Sequence, residues 1–124
     1  MTTLRPGTPP PIDADTDRAA RLFLGRLEDR YIVQESLLFG SRARQTHGDG
    51  SDADIAVVLK GSRGDRKGAA RDMAGIAFDV MLETGILIEA LPLWEDELRR
   101  TETFANPALL DAIRRDAISL GTLP

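Results

Sequence analysis

LFGSRARQTHGDGSDADIAVVL, residues 38–59, decides how this chain is read. It opens on an apolar strand end, Leu38-Phe39, and turns at Gly40-Ser41. It then crosses a polar stretch and re-enters an apolar run, Ile55 to Leu59, directly after Asp52-Ala53-Asp54. A Gly-Ser turn running into a helix N-terminus supplies backbone N–H donors and close approach for a phosphate. Carboxylates two apart on a strand leave the same face, and side by side they repel unless a cation sits between them. Oxygen-only donors suit Mg²⁺. Together the two words imply a site for a metal-bound nucleoside triphosphate.

Working outward, the apolar runs on either side predict strands over Ile32–Phe39 and Ala53–Leu59, with a short helix from Arg42 to about Thr46 capped by Ser41. Upstream, Ala20, Phe23, Leu24 and Leu27 recur at helical spacing and predict a helix over Thr16–Asp29, with Asp15 or Thr16 at its cap. Downstream, Ala69, Met73, Ile76, Ala77 and Val80 predict a helix over Arg66–Thr84, stopped by Gly85. A third strand, Ile86–Leu91, is expected to close at Pro92. A short helix over Glu95–Thr103 should follow, its first turn stabilised by Glu95, Asp96 and Glu97. Asn106-Pro107 then opens a last helix through about Leu120. The order α-β-α-β-α-β-α-α predicts an α/β (α+β) fold, with helices over one face of a small sheet.

Glu89 is a charge in the middle of the third strand, and such a residue needs a reason. If the second and third strands pair, Glu89 faces the same site as Asp52 and Asp54. A strand-edge carboxylate reaching solvent is the competing account. Arg42 and Arg44 are candidates for phosphate or partner contact, or for plain solvation on a short helix. His47, the single histidine, and Asp49 are read as loop residues, and Trp94 as a core residue.

The chain has 124 residues and no cysteine, which excludes disulfides and thiolate metal sites. One domain is expected over residues 14–120, with a Pro/Thr-rich arm at 1–13 and a loose tail at 121–124. The net charge of −4 does not advertise a general grip on nucleic acid. Only Lys60 and Lys67 are lysines among the basic residues, a bias that GC-rich coding also produces. No apolar run is long enough for a membrane span, and a cytoplasmic location is expected.

The stretch 38–59 resembles the signature of the DNA polymerase β-like nucleotidyltransferase superfamily, and its text looks like the minimal nucleotidyltransferase (MNT) branch. The resemblance covers the chain from the first helix to the third strand. It implies the nucleotidyltransferase fold, a small mixed sheet of three to four strands with helices on one face. By the same resemblance, Gly40 and Ser41 hold the triphosphate, and Asp52, Asp54 and Glu89 bind metal and carry catalysis, with two Mg²⁺ ions and ATP as substrate; Arg42, next to the turn, is counted with the nucleotide-binding residues. It further implies an antitoxin that transfers AMP to a tyrosine of a separately encoded HEPN-domain toxin, with homo- or hetero-oligomers both open. Two departures stand out. The third carboxylate is usually Asp in active members, and no C-terminal helical domain for a small substrate is evident. A non-catalytic antitoxin and an aminoglycoside-type enzyme are the alternatives.

Overall fold

β2, Ala53–Leu59, is the spine of the molecule. Every residue in it except Asp54 is buried. In the computed structural model, which describes residues 12–48, 50–100 and 106–121, it lies between two strands. β1 (Val33–Phe39) pairs with it antiparallel and β3 (Ile88–Trp94) pairs with it parallel. β4 (Ile118–Gly121) adds antiparallel to β1, so the mixed sheet runs β3-β2-β1-β4. An antiparallel neighbour can be reached by a short connection, and α2 (Ser41–Arg44) sits in it. A parallel neighbour needs a long crossover, which the 19-residue α3 (Arg66–Thr84) provides.

The helices start and stop on identifiable chemistry. Asp13 caps α1 (Ala14–Leu27), its carboxylate accepting from the Thr16 N–H at 3.1 Å. Asp65 caps α3 through the Gly68 N–H at 3.1 Å, and Gly85 ends it in a left-handed conformation at φ 81°. Asn106 caps α5 (Pro107–Asp116) with proline at its start. α1 and α3 cover one face of the sheet, where Phe23, Leu24 and Leu27 meet Leu38, Ile55, Val57, Met73 and Val80. α5 adds a smaller cluster of Leu110 and Ile113 on Ala56 and Leu93. Alternation along β2 sends Ile55 and Val57 to the first cluster and Ala56 to the second.

α3 and β2 match their predicted bounds, and Trp94 is core as expected, with the Arg66 guanidinium 5.5 Å above its ring. The third strand departs from its prediction. It begins at Ile88 and continues through Pro92 to Trp94. Proline is tolerated there because β3 is an edge strand, and the missing N–H points away from β2. The Pro92 carbonyl accepts from Arg66 Nη1 at 2.6 Å. The last helix, expected to reach Leu120, ends at Asp116, and the residues after it form β4. Gly121, expected in a loose tail, pairs with Ser36. The helix after β3 is α4 (Glu95–Arg99). The expected arm through Pro11, Asp49, the predicted helical residues 101–103 and the tail from 122 lie outside the described residues.

Phe23 is fully buried between the two main helices and the sheet, whereas Leu82 on α3 is 70% exposed. Phe23→Ala is therefore expected to destabilise the protein by about 3–5 kcal/mol, and Leu82→Ala by under about 0.5 kcal/mol. Urea unfolding of the two variants measures both. Equal losses would contradict this assignment of the core.

Candidate active site

The site is built where β1 ends beside β2 and β3. Phe39, the last residue of β1, stands opposite Asp54, and Asp54 stands opposite Glu89. Gly40 follows at φ 74° and ψ −158°, a region essentially reserved for glycine. A Cβ built there would lie 2.3 Å from Asp54 Oδ2. Glycine is thus required twice, by the backbone and by the carboxylate against it. The Gly40 carbonyl accepts from the N–H groups of Ala43 and Arg44, both at 3.1 Å. Gly40, rather than Ser41, takes the cap position of α2, and Ser41 is its first residue. The predicted Ser41 cap is corrected accordingly, because the turn needs a positive φ at the cap.

Asp52 and Asp54 are half-buried, and Glu89 is exposed. Burial first, then the charge of Glu89, a hydrogen bond with Glu89 and the charge of Asp52 push the Asp54 carboxyl up to about 6. Arg44 is the one group acting to lower it among the causes that matter there. That guanidinium also reaches Asp116 Oδ2 at 3.4 Å. The structure therefore brings Asp54 and Glu89 into hydrogen-bonding reach and Asp52 into electrostatic reach. Among the described residues, no three acidic or histidine side chains close on a single point as a preformed metal centre. The donor set nonetheless fits a hard divalent cation. It is all carboxylate oxygen, and its crowded negative charge lifts a proton affinity instead of meeting a partner cation.

Two clefts meet at Glu89. One, of about 270 Å³, is lined by Phe39, Asp54, Glu89, Ala90, Leu91 and Leu109. The other, of about 240 Å³, lies between β3 and the alanines of α3, with Asp52 and Glu89 on its wall. The carboxylates therefore stand between two open spaces, one on each side. A further cleft, of about 480 Å³, surrounds Leu59, Tyr31 and Trp94 at the far end of β2 and contains none of these residues.

Arg42, expected beside the nucleotide, is not brought to the carboxylates. It is 3% exposed and is bonded to Ser51 and Thr16 on the side of α1. The charge of Arg44 is the one felt at Asp54 instead. The sequence offered the two arginines as equals. Their spacing of two residues on a helix, which sets side chains about 200° apart, is the signal that separates them. His47 lies away from the site too, with Nε2 3.3 Å from Asp13 Oδ1. It is half-buried, where a surface loop residue was expected.

This combination of a Gly-Ser turn packed on Asp54 and acidic side chains on adjacent strands sits in a mixed α/β fold. The family model "Nucleotidyltransferase domain" matches residues 20–111, and the chain belongs to that family. A crystal structure of a candidate nucleotidyltransferase from Sulfolobus solfataricus is similar in fold, with a TM-score of 0.54 at 20% identity. The match covers 95% of this chain and 93% of that one. No curated protein matches the chain. Among the described residues, no helix is long and apolar enough to cross a membrane.

Gly40→Ala is expected to cost about 2 kcal/mol or more, since it adds backbone strain to a clash with Asp54. Wild-type stability in urea would contradict the close approach. Asp54 yields a second expectation. Its carboxyl titrates near 6 in the folded protein against an ordinary value of 3.8. Between those values the folded state keeps a proton that the unfolded chain has released, so stability falls as pH rises through that window. Asp54→Asn removes this loss. The stability difference between the variant and the wild type should grow by an amount on the order of 1 kcal/mol from pH 4 to pH 7, allowing for solvent screening. Urea unfolding across that range measures it, and a flat difference would contradict the assignment.

Proposed function

We propose that the protein is a Mg²⁺-dependent adenylyltransferase that moves AMP from ATP to a hydroxyl, a tyrosine, of a separate HEPN-domain toxin, acting as its antitoxin. The observation that carries the reading is the packing of Gly40 on Asp54, with Asp52 and Glu89 beside it, inside a nucleotidyltransferase domain. Gly40 and Ser41 offer the turn against which the triphosphate lies. Arg44, rather than Arg42, is the nearby cation that can meet phosphate charge. Asp52, Asp54 and Glu89 would hold Mg²⁺. Bound there, the metal would offset charge on the phosphates and align the attacking and leaving oxygens.

The chain's own groups supply the rest. The acceptor hydroxyl oxygen attacks the α-phosphorus while the bond from that phosphorus to the bridging oxygen breaks, and pyrophosphate leaves. The hydroxyl proton passes to Glu89, the carboxylate that stands where the two clefts meet. The two clefts meeting at Glu89 leave one side for the nucleotide and the other for the acceptor. The cleft beside α3 is open, which suits an acceptor that arrives on another molecule.

Incubation of the purified chain with α-labelled ATP, Mg²⁺ and the HEPN protein encoded beside it should label that protein. Asp52→Asn and Asp54→Asn should each lower the rate by at least about 10²-fold. If no label transfers and both variants still neutralise the toxin, the chain acts by complex formation alone. If the label appears instead on an aminoglycoside with no partner protein present, the acceptor is a small molecule.

A further inference from the structure

Arg42 is a buried cation that the reaction does not touch. Its guanidinium is used in one direction only. Nε and Nη2 both donate to the Ser51 carbonyl, at 2.9 and 2.8 Å, and Nη1 donates to Thr16 Oγ1 at 2.8 Å. Thr16 is itself buried and donates to Asp13 Oδ1 at 2.6 Å. The chain of contacts therefore runs from the α1 cap, through Arg42, to the last residue before Asp52.

The place it reaches matters. The Ser51 carbonyl belongs to the peptide unit that carries the Asp52 nitrogen. Fixing that plane sets the direction in which the Asp52 side chain leaves the backbone. On the other side of Asp52, the Ala53 N–H donates to the Leu87 carbonyl at 2.9 Å and joins the β3 ladder. Asp52 is thus held between a ladder bond after it and the arginine fork before it. Besides the fork, the described residues of the loop entering Asp52 are tied by His47 Nε2, 3.3 Å from Asp13 Oδ1, and by short-range bonds. Ser51 N–H donates to the Gly48 carbonyl at 3.1 Å, and the Gly48 N–H donates to Ser51 Oγ at 3.0 Å. Gly48 and Gly50 give that loop wide freedom.

We infer that Arg42 is a positioning residue that sets the orientation of Asp52 through the Ser51 carbonyl, and so tunes the affinity of the carboxylate site for a divalent cation. This rests on the reading of Asp52 as a metal ligand. Supporting groups behind metal ligands characteristically change affinity by 10–100-fold when removed. A planar fork that gives two N–H donors to one acceptor is a property of arginine that lysine lacks.

The test is a titration of the full chain with Mn²⁺ alone, following the EPR signal of the free ion, with folding checked by circular dichroism. The wild type should bind, and Asp52→Asn should weaken binding. Arg42→Ala should weaken it by about 10–100-fold, with partial recovery on adding ethylguanidinium, and Arg42→Lys should fall between. Arg42→Ala combined with Asp52→Asn should be little worse than Asp52→Asn alone, because both act through one ligand. If Arg42→Ala does not fold, Arg42→Lys and Thr16→Val, which loosens the fork's anchor, take its place and should each weaken binding. Folded variants that bind Mn²⁺ like the wild type, or losses that add fully to that of Asp52→Asn, would overturn the role of Arg42. If the wild type and Asp52→Asn bind alike, the metal reading of Asp52 fails, and the inference with it.

Discussion

Parallel pairing of β2 with β3 is the constraint on which the rest of the molecule depends. It places Asp54 opposite Glu89, and it cannot be made without a crossover. The crossover is α3, and its apolar stripe must be buried, so α1 stacks with it over the same face of the sheet. The opposite face carries the carboxylates and is only partly covered, by α5. One pairing therefore separates the molecule into a packed side and a chemical side. Along β2 the division falls between neighbours, with Ile55 in the core and Asp54 at the site.

The chemical side works against stability. Asp54 has been moved away from solvent and toward two other carboxylates, and its proton affinity rises as a result. Core packing must offset most of this. Arg44 lowers the affinity of Asp54 only in part, and it is shared with Asp116. Such a cluster is expected where function, rather than folding, sets the residues. Gly40 carries the same signature. Any other residue at that turn would be strained by the backbone, and its Cβ would occupy the space of the Asp54 carboxylate.

The parts of this frame that were legible in the sequence are those with long periodic signals. β2 and α3 were placed at their bounds because an unbroken apolar run and a 19-residue stripe ending in glycine leave little ambiguity. β4 was missed because its four residues continue the helical spacing of Leu110, Ile113 and Ala117 as far as Leu120. Only pairing with β1, a tertiary event, makes them a strand. Pro92 read as a terminator because its tolerance depends on β3 lying at an edge, which no local pattern reports. At the site, residue types and spacing identified Gly40, Asp52, Asp54 and Glu89 as candidates. They did not give the direction of Arg42, since a guanidinium on a four-residue helix can face either way until α1 is packed against it.

Glu89 is the departure that geometry illuminates most. With Asp54 and Glu89 in register on adjacent strands, their side chains leave the sheet on the same side. The extra methylene of Glu gives its carboxylate about 1 to 1.5 Å more reach than Asp would have. That reach brings its carboxylate near enough to Asp54 to raise the proton affinity of Asp54. The longer residue also stands on an edge strand and is exposed, so it can swing where a buried aspartate could not. Length alone is therefore a poor reason to count the third carboxylate as lost. What a glutamate gives up in rigidity must be made up by its neighbours. The two aspartates at the start of β2, Asp52 just before it and Asp54 within it, are the fixed members of the set, Asp54 by its contact with Gly40 and Asp52 by the bonds on either side of it.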